Sequence, residues 1–217
     1  MKRNTIIAVL LTLTLICMVI AGCGSDSKEA SKPTIADSKA LEPYIDIVKK
    51  ESFVIQMKTQ QKINDQVVDA VVTVAHKSKK YAVSILAGEF NITGVIKDEK
   101  VYSIVHPNKL VVVTPIQANT MNDYGIKSTF EEIEVKEHFI KSGEEEIKGK
   151  TYSYEEYKID NNQETSIKYY FEGKKLKYIK QTDKDSKEDV LLEILEFSAT
   201  VPDSLFDIPS DYQIREM

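Results

Sequence analysis

Residues 53–61, FVIQMKTQQ, alternate strictly: Phe53, Ile55, Met57 and Thr59 fall on one side of an extended chain, and Val54, Gln56, Lys58 and Gln60 on the other. A period of two predicts a β-strand with one buried face. The pattern then repeats. QVVDAVVTVAHK (66–77) puts Val68, Ala70, Val72 and Val74 on one face; KKYAVSILAG (79–88) does the same with Tyr81, Val83 and Ile85, and EFNITGVIKD (89–98) with Phe90, Ile92 and Ile96. KVYSIVH (100–106) and KLVVVTP (109–115) continue it across the turn-like His106-Pro107-Asn108. Asn64-Asp65, Ser78-Lys79, Gly88-Glu89 and Asp98-Glu99 punctuate the runs too closely for a parallel crossover, which takes a dozen residues or more. Six strands in an antiparallel meander follow.

Downstream, TPIQANTMNDYGIKSTFEEIEV (114–135) has no clean alternation. Ser128 with Glu131 fits a capping box, so a short helix through Ile133 is expected, and 116–134 is the candidate lid over a sheet face. Alternation resumes in KEHFIKSGEEEIKGK (136–150), TYSYEEYKID (151–160), ETSIKYYFEG (164–173) and KKLKYIKQTD (174–183), with turns at Gly143, Gly149, Asn161-Asn162 and Gly173-Lys174. Residues 187–199 are ambiguous: Val190, Leu191, Ile194 and Leu195 share a helical face, whereas the strand pattern is spoiled. VPDSLFDIPSDYQI (201–214) predicts a Pro-bounded helical turn presenting Leu205 and Phe206. Upstream, Leu41, Ile45 and Val48 make one helical stripe, with Pro43 in the first turn.

The N-terminus reads as a targeting segment, to be set apart from the fold. Lys2 and Arg3 precede an apolar run from Ile6 to Ile20, and Ala21-Gly22 precede Cys23. The run is shorter than the roughly 20 residues of an ordinary spanning helix. Small residues followed by Cys resemble the lipobox of bacterial lipoproteins. That resemblance implies a signal peptide over 1–22, a diacylglycerol thioether on Cys23, and N-acylation (palmitate or a similar chain) of the new terminus. Cys17 lies in the removed part, so the second of the two cysteines is the one left, and a thioether would consume it. GSDSKEASKP (24–33) carries Ser, Lys, Gly and acid, the composition of a flexible tether. The expected organisation is therefore a signal peptide over 1–22, acylated Cys23 and tether over 23–34, and one domain over 35–217.

Removing Lys2 and Arg3 takes the formal net charge from −5 to −7, which argues against nucleic acid or an acidic surface as partner. Chemistry is scarce. His76, His106 and His138 stand about thirty residues apart with no partner at metal-ligand spacing, and surface positions are expected for all three. The sequence has no nucleophile-elbow, phosphate-loop or dinucleotide motif. No enzyme, metal or cofactor is expected. Glu144-Glu145-Glu146 suits a solvated hairpin tip better than a calcium loop, whose ligands are staggered around a glycine. Tyr152, Tyr154, Tyr157, Tyr169, Tyr170 and Tyr178 are expected to cover a sheet face with their hydroxyls in water; a sugar- or peptide-stacking platform is the alternative.

EEEIKGKTYSYEEYKID (144–160), IKYYFEGKKLKYIKQTD (167–183) and VPDSLFDIPSDYQ (201–213) resemble, in order, the second half of LolA/LppX-like lipoprotein-carrier domains. The resemblance implies an α+β fold: a strongly curved antiparallel sheet, an unclosed half-barrel, with an N-terminal helix and a short helical lid insertion. It implies a strand at 187–199 and an apolar cavity for acyl chains on the concave face. Phe53, Ile55, Met57, Val72, Val83, Ile85, Phe90 and Ile92 are then the candidate ligand-binding residues. Expected partners are the membrane, through the acyl chains of Cys23, and a lipid or lipoprotein ligand, with the protein at the extracytoplasmic face of the cell membrane. The alternative is an interaction module that presents an acidic, tyrosine-bearing surface to an envelope protein.

Overall fold

A computed structural model describes residues 40–63, 66–116, 139–158, 165–183 and 190–217. The leader, Cys23, the tether, the lid beyond Ile116 with its capping box, His138, and the turns at 64–65 and 161–162 all lie outside them. Among the described residues no helix is long and apolar enough to cross a membrane.

Among the described residues one α-helix, α1 (Glu42–Lys49), precedes twelve strands: β1 (Ser52–Ile63), β2 (Gln66–Lys77), β3 (Lys80–Ala87), β4 (Phe90–Lys97), β5 (Lys100–Val105), β6 (Leu110–Pro115), β7 (Phe139–Ile147), β8 (Lys150–Lys158), β9 (Thr165–Glu172), β10 (Lys175–Asp183), β11 (Val190–Ser198) and β12 (Gln213–Glu216). They form one unclosed sheet in the order β12-β6-β5-β4-β3-β2-β1-β11-β10-β9-β8-β7. Two meanders meet where β1 pairs antiparallel with β11. The antiparallel expectation needs one correction. β12 returns beside β6 in parallel, Ile214 opposite Val111, after a connection long enough to cross the sheet.

Two-residue turns set the register. Lys77 pairs with Lys80, Ala87 with Phe90, Lys97 with Lys100, Ile147 with Lys150 and Glu172 with Lys175. Asp98 and Glu99 both take positive φ, 52° and 58°, as do Lys148 and Gly149 at 51° and 79°. Paired left-handed residues match the twist of the flanking strands. At Gly143 the need is for space, because a Cβ there would lie 3.0 Å from the hydroxyl of Tyr154, its cross-strand partner.

Within the ambiguous stretch, β11 (Val190–Ser198) shows why the sequence looks helical. Phe197 pairs with Ile55, Glu196 with Gln56, and Ile194 with Met57, so Leu195 is a bulge. The extra residue changes the phase. Leu192, Ile194 and Phe197 all join the core under α1, and Leu195 stays exposed.

The helix packs on one face of the sheet. Leu41, Ile45 and Val48 meet Phe53, Ile55, Tyr157, Tyr169, Phe171, Leu176 and Ile194 in the main core. Two polar contacts fix it there. Tyr44 donates its hydroxyl to the carbonyl of Lys174 at 3.0 Å and accepts from the Leu176 amide at 2.8 Å, at the bulge of the β9–β10 hairpin. Buried Glu155 accepts from the Ala40 amide at 3.2 Å and from the Tyr157 hydroxyl at 2.8 Å.

The opposite face has two covers. Over β1–β6, residues 199–212 form a strap whose 3-10 turn, Asp203–Phe206, seats Phe206 among Val54, Ala75, Ala82, Val95 and Val113. Lys97 donates to the Phe206 carbonyl at 2.9 Å, and Lys77 bridges to Asp203 at 3.0 Å. Over β7–β10, Ile147, Tyr152, Tyr170 and Tyr178 form a third core beneath lysine side chains. The Lys148 and Lys150 ammonium groups stand 5.5 Å and 5.6 Å from the rings of Tyr178 and Tyr152. Long lysine stems cover apolar surface while their charges stay in water. These tyrosines are core, contrary to the expectation of solvated hydroxyls. Of the six, Tyr154 alone is half-exposed.

Candidate functional site: an aliphatic trough on the helix face

Register gathers the candidate residues into rows. On the α1 face, Met57, Val72, Ile85, Ile92, Val105 and Leu110 are successive cross-strand partners from β1 to β6. Directly opposite partners on one face interact as pairs, so this is a continuous aliphatic stripe across six strands. The neighbouring row runs Ile55, Val74, Val83, Gly94, Ser103, Val112. At Gly94 and Ser103 that row has almost no side chain. A Cβ built on Gly94 would meet only the carbonyl oxygen of Val83, at 4.0 Å. The sheet face therefore dips beside the stripe, and among the described residues nothing fills the dip.

The eight predicted ligand residues divide between two situations. Phe53 and Ile55, 2% and 1% exposed, belong to the core beneath α1, and Met57 packs against that core. Val72 is buried. Val83, Ile85, Phe90 and Ile92 are half-exposed, and none of them belongs to the three core clusters. The trough is thus bounded by Met57 and Val72 at the α1 end, and Val105, Leu110 and Val112 complete it. Sequence reasoning missed these last three, although the alternation of β5 and β6 already put them on the right face.

Among the described residues the trough carries no chemistry-bearing cluster. His76, at its end, is buried, stacked on Tyr81 with ring centroids 4.0 Å apart, and its Nε2 donates to the Ser78 carbonyl at 2.6 Å. It is therefore a packed core histidine, not the surface residue expected. His106 is half-buried on the other face, with Nε2 3.0 Å from Thr93 Oγ1 and Nδ1 3.0 Å from the Tyr212 hydroxyl. The expected surface position fails there too, because the strap covers this strand end. Among the described residues no group of three or more His, Cys, Asp or Glu could hold a metal. Of the acidic run, Glu145 bridges to Lys168 at 2.7 Å and Lys180 at 3.7 Å. The hydrogen bond from Lys168 holds its carboxyl below the ordinary carboxylate range.

No family model and no curated protein matches the chain. Among solved structures, an uncharacterized conserved protein from Thermus thermophilus is similar at 14% identity and TM-score 0.46, over 82% of this chain and 100% of that one. MucB is similar at 6% identity and TM-score 0.39, over 79% of this chain and 64% of MucB. A chain of the MucA/MucB complex from Pseudomonas aeruginosa gives 7% identity and TM-score 0.41, over 80% and 63%. This chain therefore spans less than two thirds of those last two. At such TM-scores no likeness fixes the fold, and what the chain can bind rests on its own faces.

Proposed function

We propose that the protein is a lipid-anchored bacterial lipoprotein with a LolA/LppX-like domain that binds a lipid, or a lipoprotein acyl chain, in the trough on the α1 face. Binding is by burial, without catalysis. The observation that carries this is the in-register stripe from Met57 to Leu110 beside the open dip at Gly94. A stripe six strands wide, at about 4.8 Å per strand, is long enough for an extended acyl chain. Each methylene transferred onto it is worth about 0.8 kcal/mol. Cys23, behind its lipobox-like leader, holds the domain to the extracytoplasmic face of the cell membrane, where such ligands are found.

The test is lipid content. The chain from Gly24 to Met217, purified without detergent, is extracted with organic solvent and assayed by mass spectrometry. Close to one lipid per chain is expected, and Gly94→Leu, which fills the dip, should lower it sharply. A wild-type protein that is empty and takes up no added phospholipid or acyl peptide would sink the proposal. Attention would then move to the alternative, an interaction module. Its support is the β7 edge, where Glu144 and Glu146 are exposed; the tyrosine surface that it also needs is largely buried.

A further inference from the structure

On the face opposite the trough, the same strands carry a second row of a different kind. Gln56, Thr73, Ser84 and Thr93 are successive cross-strand partners on β1 to β4. They are linked in part, with Gln56 Nε2 donating to Thr73 Oγ1 at 3.3 Å and Thr93 donating to Ser84 Oγ at 3.2 Å. His106 extends the chain to Tyr212. The next row, Val54, Ala75, Ala82 and Val95, is core beneath Phe206. Its two alanines are small, and the strap does not close down on the hydroxyl row beside them. A cleft of ≈ 300 Å³ remains, floored by Thr73, Ser84 and Thr93 and roofed by Leu205, Asp207 and Pro209.

We infer that this cleft binds a small, uncharged, hydroxyl-rich molecule of monosaccharide size. Its volume lies at the lower end of small-molecule sites, about 300–1,000 Å³. A side-chain hydroxyl has one donor and two acceptor sites, so the floor offers hydrogen bonds of both senses to a ligand hydroxyl. Asp207 accepts from above, and Ala75, Ala82, Ile104 and Leu205 suit the C–H faces of a sugar ring. Neither Lys nor Arg lines the cleft, and His106, which does, has both ring nitrogens engaged by Thr93 and Tyr212; with the Asp207 carboxylate beside it, the site disfavours phosphate and carboxylate ligands. The inference does not depend on the apolar trough, which lies on the other side of the sheet.

Saturation-transfer NMR on the full chain, in a zwitterionic detergent lacking a sugar head group, tests this with glucose and N-acetylglucosamine as probes. Transfer to the ring protons of at least one sugar is expected. Ser84→Leu, which fills the floor, should weaken it by about tenfold or more. Asp207→Asn, at an exposed position where folding is not at stake, should weaken it severalfold, and Gly94→Leu should leave it unchanged. Absence of transfer from both sugars to wild type would overturn the inference. Equal transfer in wild type, Ser84→Leu and Asp207→Asn would also overturn it, as would loss of the signal on adding inorganic phosphate.

Discussion

On the α1 face, strands β8–β11 lie under a helix and bury Tyr157, Tyr169, Phe171, Leu176 and Ile194, whereas β3–β6 present Val83, Ile85, Ile92, Val105 and Val112 half-exposed. The first half is filled on both faces, since Tyr152, Tyr170 and Tyr178 close its reverse side. Among the described residues, the second half is covered on the strap side alone, and that cover leaves the cleft over Thr73, Ser84 and Thr93. Side-chain size accounts for the difference. Aromatic rings reach across the gap between strand and helix, while a valine, a serine and a glycine in one row cannot. One half of the sheet is built for stability, and the other leaves room.

The hardest test of that contrast is a pair of truncations. Phe171→Ala in the filled half should cost about 3–5 kcal/mol, the transfer loss plus a cavity that α1 cannot collapse into. Ile85→Ala in the trough removes a side chain already half in water and should cost about 1 kcal/mol. Urea unfolding of both variants measures the two. Equal losses would mean that the trough is as tightly filled as the helix side, and the proposed ligand would have no place.

Tyr44→Phe probes what holds the helix on its half. The hydroxyl serves two backbone groups of the β9–β10 hairpin, and its loss strands a part-buried amide at Leu176. A destabilisation of about 1–2 kcal/mol is expected, with hydrogen exchange rising first at α1 and Leu176. Faster exchange in β3–β6 instead would show that α1 braces the trough and that the two halves are not independent.

Much of this division could be read from the residues, and the exceptions have physical causes. Alternation placed Phe53, Ile55 and Met57 on one face and turn chemistry gave the hairpins, because both are local. The tyrosines mislead because tyrosine suits a wet or a buried face equally, and what decides is tertiary: α1 over Tyr157 and Tyr169, and Lys148 and Lys150 over the rings of Tyr178 and Tyr152. Leu195 spoiled the period of its strand because a bulge adds a residue that no alternation can announce. His106 meets Tyr212 across a sequence separation of 106, and nothing local in either residue marks the meeting. The trough itself was visible in outline, but its depth depends on Gly94 facing the same way as Val83, a matter of register.

The reverse side of the filled half can be tested by alkali. Burial, with a hydrogen bond to Tyr152, pushes the Tyr178 hydroxyl up to about 12, from about 10 in an unfolded chain. The folded state therefore keeps a proton that the unfolded state loses, and stability falls as pH rises between those values. Tyr178→Phe should flatten that fall. An unchanged slope would place the titrating burden on Tyr169 and Tyr170, whose hydroxyls burial also pushes up.

The smallest effect is expected at the rim of the same face, at Glu145. Its carboxyl is held low by the hydrogen bond from Lys168 and by the charges of Lys168 and Lys180. A depressed folded value stabilises above the unfolded carboxylate value, about 4.3, and that contribution is lost as pH falls through the folded value. The bridge is partly solvated, with Glu145 and Lys168 side chains 31% and 19% exposed, so Glu145→Gln should cost about 0.2–1 kcal/mol at neutral pH. The difference from wild type should close below pH about 4 and shrink with added salt. A gap that persists in acid would mean that Glu145 acts through packing beside Tyr170 instead of charge. The pairs of Glu145 with Lys168 and Lys180 would then add nothing to the filled half through charge.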